Sequence, residues 1–191
     1  MFVVTDYAKS NNGRLRYKAR DVNHLTKNKG KVGYLTASTK FVLPVYYQTK
    51  GKTITVINPK GIIAYRQKNL TSKVKHYKQG TILKVKKLVK HNLTTRFVLS
   101  TGHYITANRK LVITGQHRTA KVVKAKGAIN RYSNVNLTRK NKHYSRKANH
   151  VFVVKRWEYS QENSNTKHGA LRFQVKGGFI TGNLRYVKAI R

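Results

Sequence analysis

"TRFVLSTGHYITANRKLV", residues 95–112, returns as "LRFQVKGGFITGNLRYV" at 171–187 and in part as "KVGYLTASTKFV" at 31–42. Each copy sets an aromatic, an aliphatic and a threonine in the same order: Tyr104-Ile105-Thr106, Phe179-Ile180-Thr181 and Tyr34-Leu35-Thr36. Side chains alternate between the faces of a strand, so the aromatic and the aliphatic point opposite ways and one of them faces a core. Tyr104 is expected to be that core residue. The alternative places Tyr34, Tyr104 and Phe179 along a shallow groove.

A second block precedes the first. "KGIIAYRQKNLTSKVKHY" (60–77) matches "KGAINRYSNVNLTRKNKHY" (126–144) through the shared KG, NLT and KHY. No such block stands before residue 31, where "MFVV" and "GRLRY" (13–17) resemble only "VFVV" (151–154) and "GALRF" (169–173). The repeats divide the chain into 1–49, the C-terminal half of a repeat; 50–114, a full repeat; and 115–191, a full repeat with a longer hairpin at 158–169. The chain reads as a piece of a longer array.

Local pattern favours strands. "KTITVIN" alternates Ile54 and Val56 with Thr53 and Thr55, and "GTILKVKKLV" sets Leu83 and Val85 opposite Lys84 and Lys86. That is a period of two. Short strands interrupted by "KNKGK", "HNLTT" and "STG" predict small antiparallel sheets, most economically closed into barrels that hide their edges.

Charge dominates the composition: 42 Lys and Arg against 4 Asp and Glu give a formal net charge of +38. So few carboxylates cannot neutralise these cations internally, which points to a polyanionic partner: nucleic acid, an anionic membrane surface or an anionic wall polymer. With no Cys, disulfides, thiolate metal sites and a Cys nucleophile are excluded. The eight His residues never fall at metal-ligand spacing, and Asp6, Asp21, Glu158 and Glu162 recur at no equivalent positions. Paired-carboxylate or triad hydrolysis has almost no material, so neither enzyme chemistry, metal nor cofactor is expected. The N-terminus shows no cationic leader with an apolar stretch, and no run is long enough to span a membrane.

Against the lysine background, one arginine recurs: Arg16 before Tyr17, Arg96 before Phe97 and Arg172 before Phe173. Its planar fork holds a phosphate through two bonds, whereas its bland role is to shield the core with its stem. Lys75-His76-Tyr77 and Lys142-His143-Tyr144 join a cation, a titratable ring and a phenol, either for anion binding or to cap the next turn. The candidate polyanion contacts are therefore Arg16, Arg96, Arg172, Lys75, His76, Lys142 and His143. Tyr77 and Tyr144 join the candidate groove aromatics.

Together, "RYKARDVNHLTKNKGKVGYLTASTKFVLPVYY", the NLT…KHY segment and "TTRFVLSTGHYITANRKLV" resemble a basic tandem-repeat domain of unknown function from surface proteins of lactobacilli. Those repeats are similar in turn to bacterial SH3-like wall-binding modules and S-layer attachment domains. The resemblance implies an all-β protein of tandem small SH3-like antiparallel barrels. It also implies export, with the signal in an upstream part, and non-covalent attachment to an anionic cell-wall polymer such as teichoic acid or a peptidoglycan-linked glycan. It supplies no residue-level binding site. The third block departs from it at Arg146 and Lys147, which stand where "QG" is expected. Two other readings remain: an intracellular nucleic-acid binder, favoured by charge and interleaved Tyr, and the targeting tail of a wall hydrolase.

Overall fold

The computed structural model describes residues 1–24, 26–161 and 169–190; Glu162 and most of the hairpin tip expected at 158–169 lie outside these residues. The protein is all-β, built of antiparallel sheets with one short 3-10 turn at Arg146–Ala148. It divides into two compact units, 1–45 and 46–191. Among the described residues no helix is long and apolar enough to cross a membrane.

The N-terminal unit is one meander of β1 (Phe2–Lys9), β2 (Leu15–Asp21) and β3 (Val32–Thr36) in the order β1-β2-β3. Of its described residues only Ala19 and Asp21 are buried. Asp21 accepts hydrogen bonds from the Asn23 amide (2.7 Å) and the Thr26 hydroxyl (3.1 Å), which fixes the loop into β3.

The first full repeat strings seven strands: β4 (Thr53–Val56), β5 (Ile62–Tyr65), β6 (Lys73–Tyr77), β7 (Ile82–His91), β8 (Thr94–Leu99), β9 (Tyr104–Thr106) and β10 (Val112–Thr114). They form a single sheet in the order β10-β4-β7-β8-β9-β5-β6. Val112 of β10 lies in the same core as Phe97 and Ile105, and Tyr77 of β6 packs against it, so the sheet wraps one core. The ladder nevertheless stays open, because its end strands β10 and β6 do not pair. Barrel closure by hydrogen bonds is thus not found. The free edge β6 carries exposed Lys73 and Lys75, a common protection against edge-to-edge association.

This repeat begins earlier than expected. Tyr46 bridges to Asn108, the Tyr47 amide donates to Ala107 O (3.0 Å), and the Tyr47 ring joins the core, moving the boundary from 49/50 to 45/46.

The second full repeat has β11 (Val122–Ala125), β12 (Ile129–Tyr132), β13 (Lys140–Tyr144), β14 (Val151–Val153), β15 (Arg156–Tyr159), β16 (Leu171–Val175), β17 (Gly178–Thr181) and β18 (Val187–Ala189). Its strands form two sheets, β14-β11-β18 and β13-β12-β17-β16-β15. The difference from the first repeat is local. The Val85 amide donates to Lys52 O (2.9 Å) and the Val154 amide to Lys121 O (2.8 Å), so the two valines are equivalent. Just past Val85 the ten-residue β7 carries a register shift, whereas past Val154 the strand breaks into β14 and β15. A bulge in one copy has become a corner in the other.

A glutamine bridges strands of the two full repeats. Gln79 Nε2 donates to Ile57 O (2.7 Å) within its own repeat and to Trp157 O (2.8 Å) in the next, while Gln79 Oε1 accepts from the Trp157 amide (3.1 Å). Gly80 beside it has φ +84 and leaves room for the Trp157 ring, which would lie 3.3 Å from a Cβ there. The position of Gly80 before β7 is taken before β14 by Asn149, also left-handed at φ 48. The replacement for "QG" is therefore the four residues 146–149, and Arg146 and Lys147 are only its first half.

Candidate polyanion-binding faces

The recurrent arginine meets the recurrent threonine. Arg16 pairs with Thr36 across β2-β3, Arg96 with Thr106 across β8-β9, and Arg172 with Thr181 across β16-β17. Cross-strand partners share a face, so each copy presents an Arg–Thr pair. In the full repeats that face is opposite the core, since Phe97, Ile105, Phe173 and Ile180 between these residues are at most 3% exposed. The threonine also shapes the following turn. Its Oγ1 accepts from the amide two residues on: Ser38 (3.2 Å), Asn108 (3.2 Å) and Asn183 (3.1 Å). The side chain at that position then accepts from Lys40, Lys110 or Arg185 N–H. One Thr-to-polar-to-basic turn is thus built three times.

The arginines are half-buried. Arg96 Nη1 donates to Thr95 O (3.0 Å) and Arg172 Nη1 to Leu171 O (3.2 Å), each folding back on the preceding residue. The Nε–H of each is buried and has no partner in the protein. Burial lowers the pKa of the Arg172 guanidinium below the usual arginine value. It stays protonated at any physiological pH, because an arginine is not deprotonated in proteins. A partly desolvated, undercommitted guanidinium is well suited to an anion.

In the N-terminal unit, Arg16 and Thr36 line an open concavity of about 720 Å³ with Arg14 and Phe41. In the second full repeat, Arg172 and Thr181 line a cleft of about 370 Å³ with Asn130, Tyr132, His143 and Tyr186. Arg172 and His143 are therefore brought together as candidate contacts.

The Lys-His-Tyr triads are not. Alternation along the edge strands β6 and β13 splits them. Lys75 Nζ lies 5.5 Å from the Tyr77 ring centre and Lys142 Nζ 5.1 Å from that of Tyr144, both on the face away from His76 and His143. Tyr144 is 7% exposed and packs edge-on against Phe152, so it is a core residue and not a groove wall. Tyr77 is half-buried and packs against the core of the first repeat. The histidines also differ. His76 Nε2 bonds Lys60 O (2.9 Å), whereas His143 Nδ1 bonds Asn130 Oδ1 (2.7 Å). The turn that supplies Lys60, residues 58–61, is cut to Gly127-Ala128 in the second repeat.

Tyr104 is a correction of the opposite kind. Ile105 is the fully buried member of its pair and Tyr104 lies half-buried on the outer face, opposite Tyr65 on β5. Phe179 faces Tyr132 in the same way, and Tyr34 is 63% exposed opposite Lys18. The motif's glycine is not equivalent throughout. Gly102 and Gly177 turn their hairpins at φ +82 and +83, whereas Gly33 sits inside β3 without a positive φ.

Two features have no counterpart in the sequence expectations. Lys50, Lys52, Lys84 and Lys86 surround one concavity of about 540 Å³ in the first full repeat. In the second, Glu158 stands across from Arg172 and is ion-paired with Arg156 at 2.8 Å. Val89 occupies the matching place opposite Arg96. The alternation of Lys84 and Lys86 with Leu83 and Val85 was the available signal for the first. Nothing in the sequence pairs Glu158 with Arg172.

Among the described residues no three His, Asp or Glu side chains cluster as a metal site. Residues 46–112, the first full repeat, match the model of a family described as a domain of unknown function, DUF5776. No curated protein and no solved structure matches the chain.

Proposed function

We propose that the protein is a non-catalytic attachment module that binds an anionic cell-wall polymer, such as teichoic acid, through the Arg–Thr faces of its repeats. The observation that carries this reading is the recurrence of one half-buried arginine, in one register, opposite one threonine, in all three copies. Arg96 and Arg172 are half-buried and each commits one Nη to a backbone carbonyl, so in this reading the solvent-facing part of the guanidinium meets the anion.

The net charge of +38 supplies long-range attraction, and repetition supplies avidity without a deep pocket. A polymer with a phosphate in every unit matches spaced guanidiniums. Each full repeat, antiparallel strands wrapped around one core in one sheet or two, is read as an open relative of SH3-like modules. The protein is read as exported and held at the cell surface. Partial neutralisation of a polyanion releases counterions, so binding falls steeply with salt.

The test is sedimentation with purified cell walls before and after extraction of the anionic polymer. Binding is expected to collapse on extraction and with rising salt. Binding that survives extraction unchanged would overturn the assignment. A DNA titration over the same salt range serves as comparison; DNA affinity matching that for walls would favour the nucleic-acid reading.

A further inference from the structure

We propose that the cleft of the second full repeat is a subsite for one phosphate-bearing polyol or sugar unit: Arg172 takes the phosphate, Tyr132 and Tyr186 flank the carbon skeleton, and the Asn130–His143 pair reads a hydroxyl. This rests on the polymer-binding reading above and adds to it a chemical preference that charge alone does not give.

The argument comes from what the two full repeats share and where they part. Isoleucine, Tyr, Leu, His, Arg and Thr stand at matching places: Ile62 and Ile129, Tyr65 and Tyr132, Leu70 and Leu137, His76 and His143, Arg96 and Arg172, Thr106 and Thr181. Leu70 and Leu137 even share a left-handed backbone, φ 62 and 56, which a branched side chain rarely adopts. Besides Gly61, which gives way to Ala128 in the shortened turn, two lining positions change. Ile63 of the first repeat is Asn130 in the second, and Leu111 is Tyr186, each pair fixed by the same backbone bonds.

Both changes put hydrogen-bonding or aromatic groups into a cleft that also contains Arg172. The shortened turn frees His143 from the bond that holds His76, and His143 pairs with Asn130 inside the cleft instead. Glu158, the cross-strand neighbour of Arg172, is tied to Arg156 and is absent from the cleft lining. Arg172 is the one permanent cation of the cleft, set beside polar side chains and two phenols. At about 370 Å³ the cleft suits a few carbons and a phosphate, and it is too small to take in several units of a polymer. Hydroxyl-reading polar groups discriminate against ligands that leave them unpaired.

The test is an NMR titration of the full isotope-labelled chain with glycerol 3-phosphate and ribitol 5-phosphate, against inorganic phosphate and a thymidine oligonucleotide. The polyol phosphates are expected to shift the amides of residues 128–132, 172, 181 and 186 and to bind about tenfold more tightly than inorganic phosphate, as one extra hydrogen bond with ring contact allows. N130I with Y186L, which installs the residues of the first repeat, should erase that preference while inorganic phosphate still shifts the Arg172 amide and thermal unfolding stays as in the parent. R172A should abolish both phosphate and polyol phosphate shifts in the cleft. Equal affinity for phosphate and polyol phosphate, or shifts spread over the lysines, would overturn the subsite. A chain that pellets with walls while these amides stay still keeps the polymer reading and loses the subsite. A chain that titrates here without binding walls supports the subsite and removes the polymer.

Discussion

Arg96 and Arg172 occupy the same register in two repeats, yet the first faces Val89 and the second faces Glu158. Around them the scaffold is conserved in kind: Phe97 and Phe173, Ile105 and Ile180, Val112 and Val187 are each at most 3% exposed. What differs is the strand that precedes the arginine. It bulges in one repeat and breaks in the other, and it carries the only acidic neighbour of a recurrent arginine among the described residues. Fixed core positions thus hold the arginine, while the facing strand sets how much positive charge its face presents.

The strongest way to break this comparison is through the shared core. Phe97→Ala and Phe173→Ala should each cost about 3–5 kcal/mol, as for other buried phenylalanines, measured by chemical denaturation. Similar costs would support equivalent cores, and a near-neutral result in either would show that the repeats are packed differently. Tyr17, their half-buried counterpart in the N-terminal unit, should cost clearly less.

A smaller effect tests the junction. Gln79→Ala removes both bonds to the Trp157 backbone and should cost about 1–3 kcal/mol, with faster hydrogen exchange at the Trp157 amide. Unchanged exchange there would mean that the glutamine does not couple the repeats.

The facing residues can then be exchanged. Glu158→Val should raise wall affinity and Val89→Glu should lower it, each by about fivefold at low salt and less at high salt, since a nearby half-buried charge close to the surface contributes on the order of 1 kcal/mol. If neither moves binding, the arginine faces are not where the polymer sits.

Much of this was legible in the sequence because repetition marks what matters. Arg16, Arg96 and Arg172 stand out from the lysine background only by recurring, and the recurring Thr proved to be their strand partner. Period-two alternation correctly placed Lys84 and Lys86 opposite Leu83 and Val85. Alternation cannot say which face is inward, so Tyr104 was expected inside and Ile105 holds that place. Tyr144 next to Lys142 and His143 looked like part of a polar triad, but alternation turns His143 to the other face and leaves Lys142 beside a ring that is itself buried in the core. The lysines around the first repeat's concavity come from two segments, 50–52 and 84–86, which only the pairing of β4 with β7 brings together.

The most direct measurement compares two triple variants in wall sedimentation. One replaces Arg16, Arg96 and Arg172 with alanine, and the other replaces the exposed lysines Lys90, Lys110 and Lys188, so that both remove the same charge. The account predicts that the arginine variant loses at least about tenfold more affinity than the lysine variant, because each arginine contributes charge-assisted hydrogen bonds as well as charge. Equal losses would show that diffuse charge holds the polymer, and that the recurrent arginines are only scaffold.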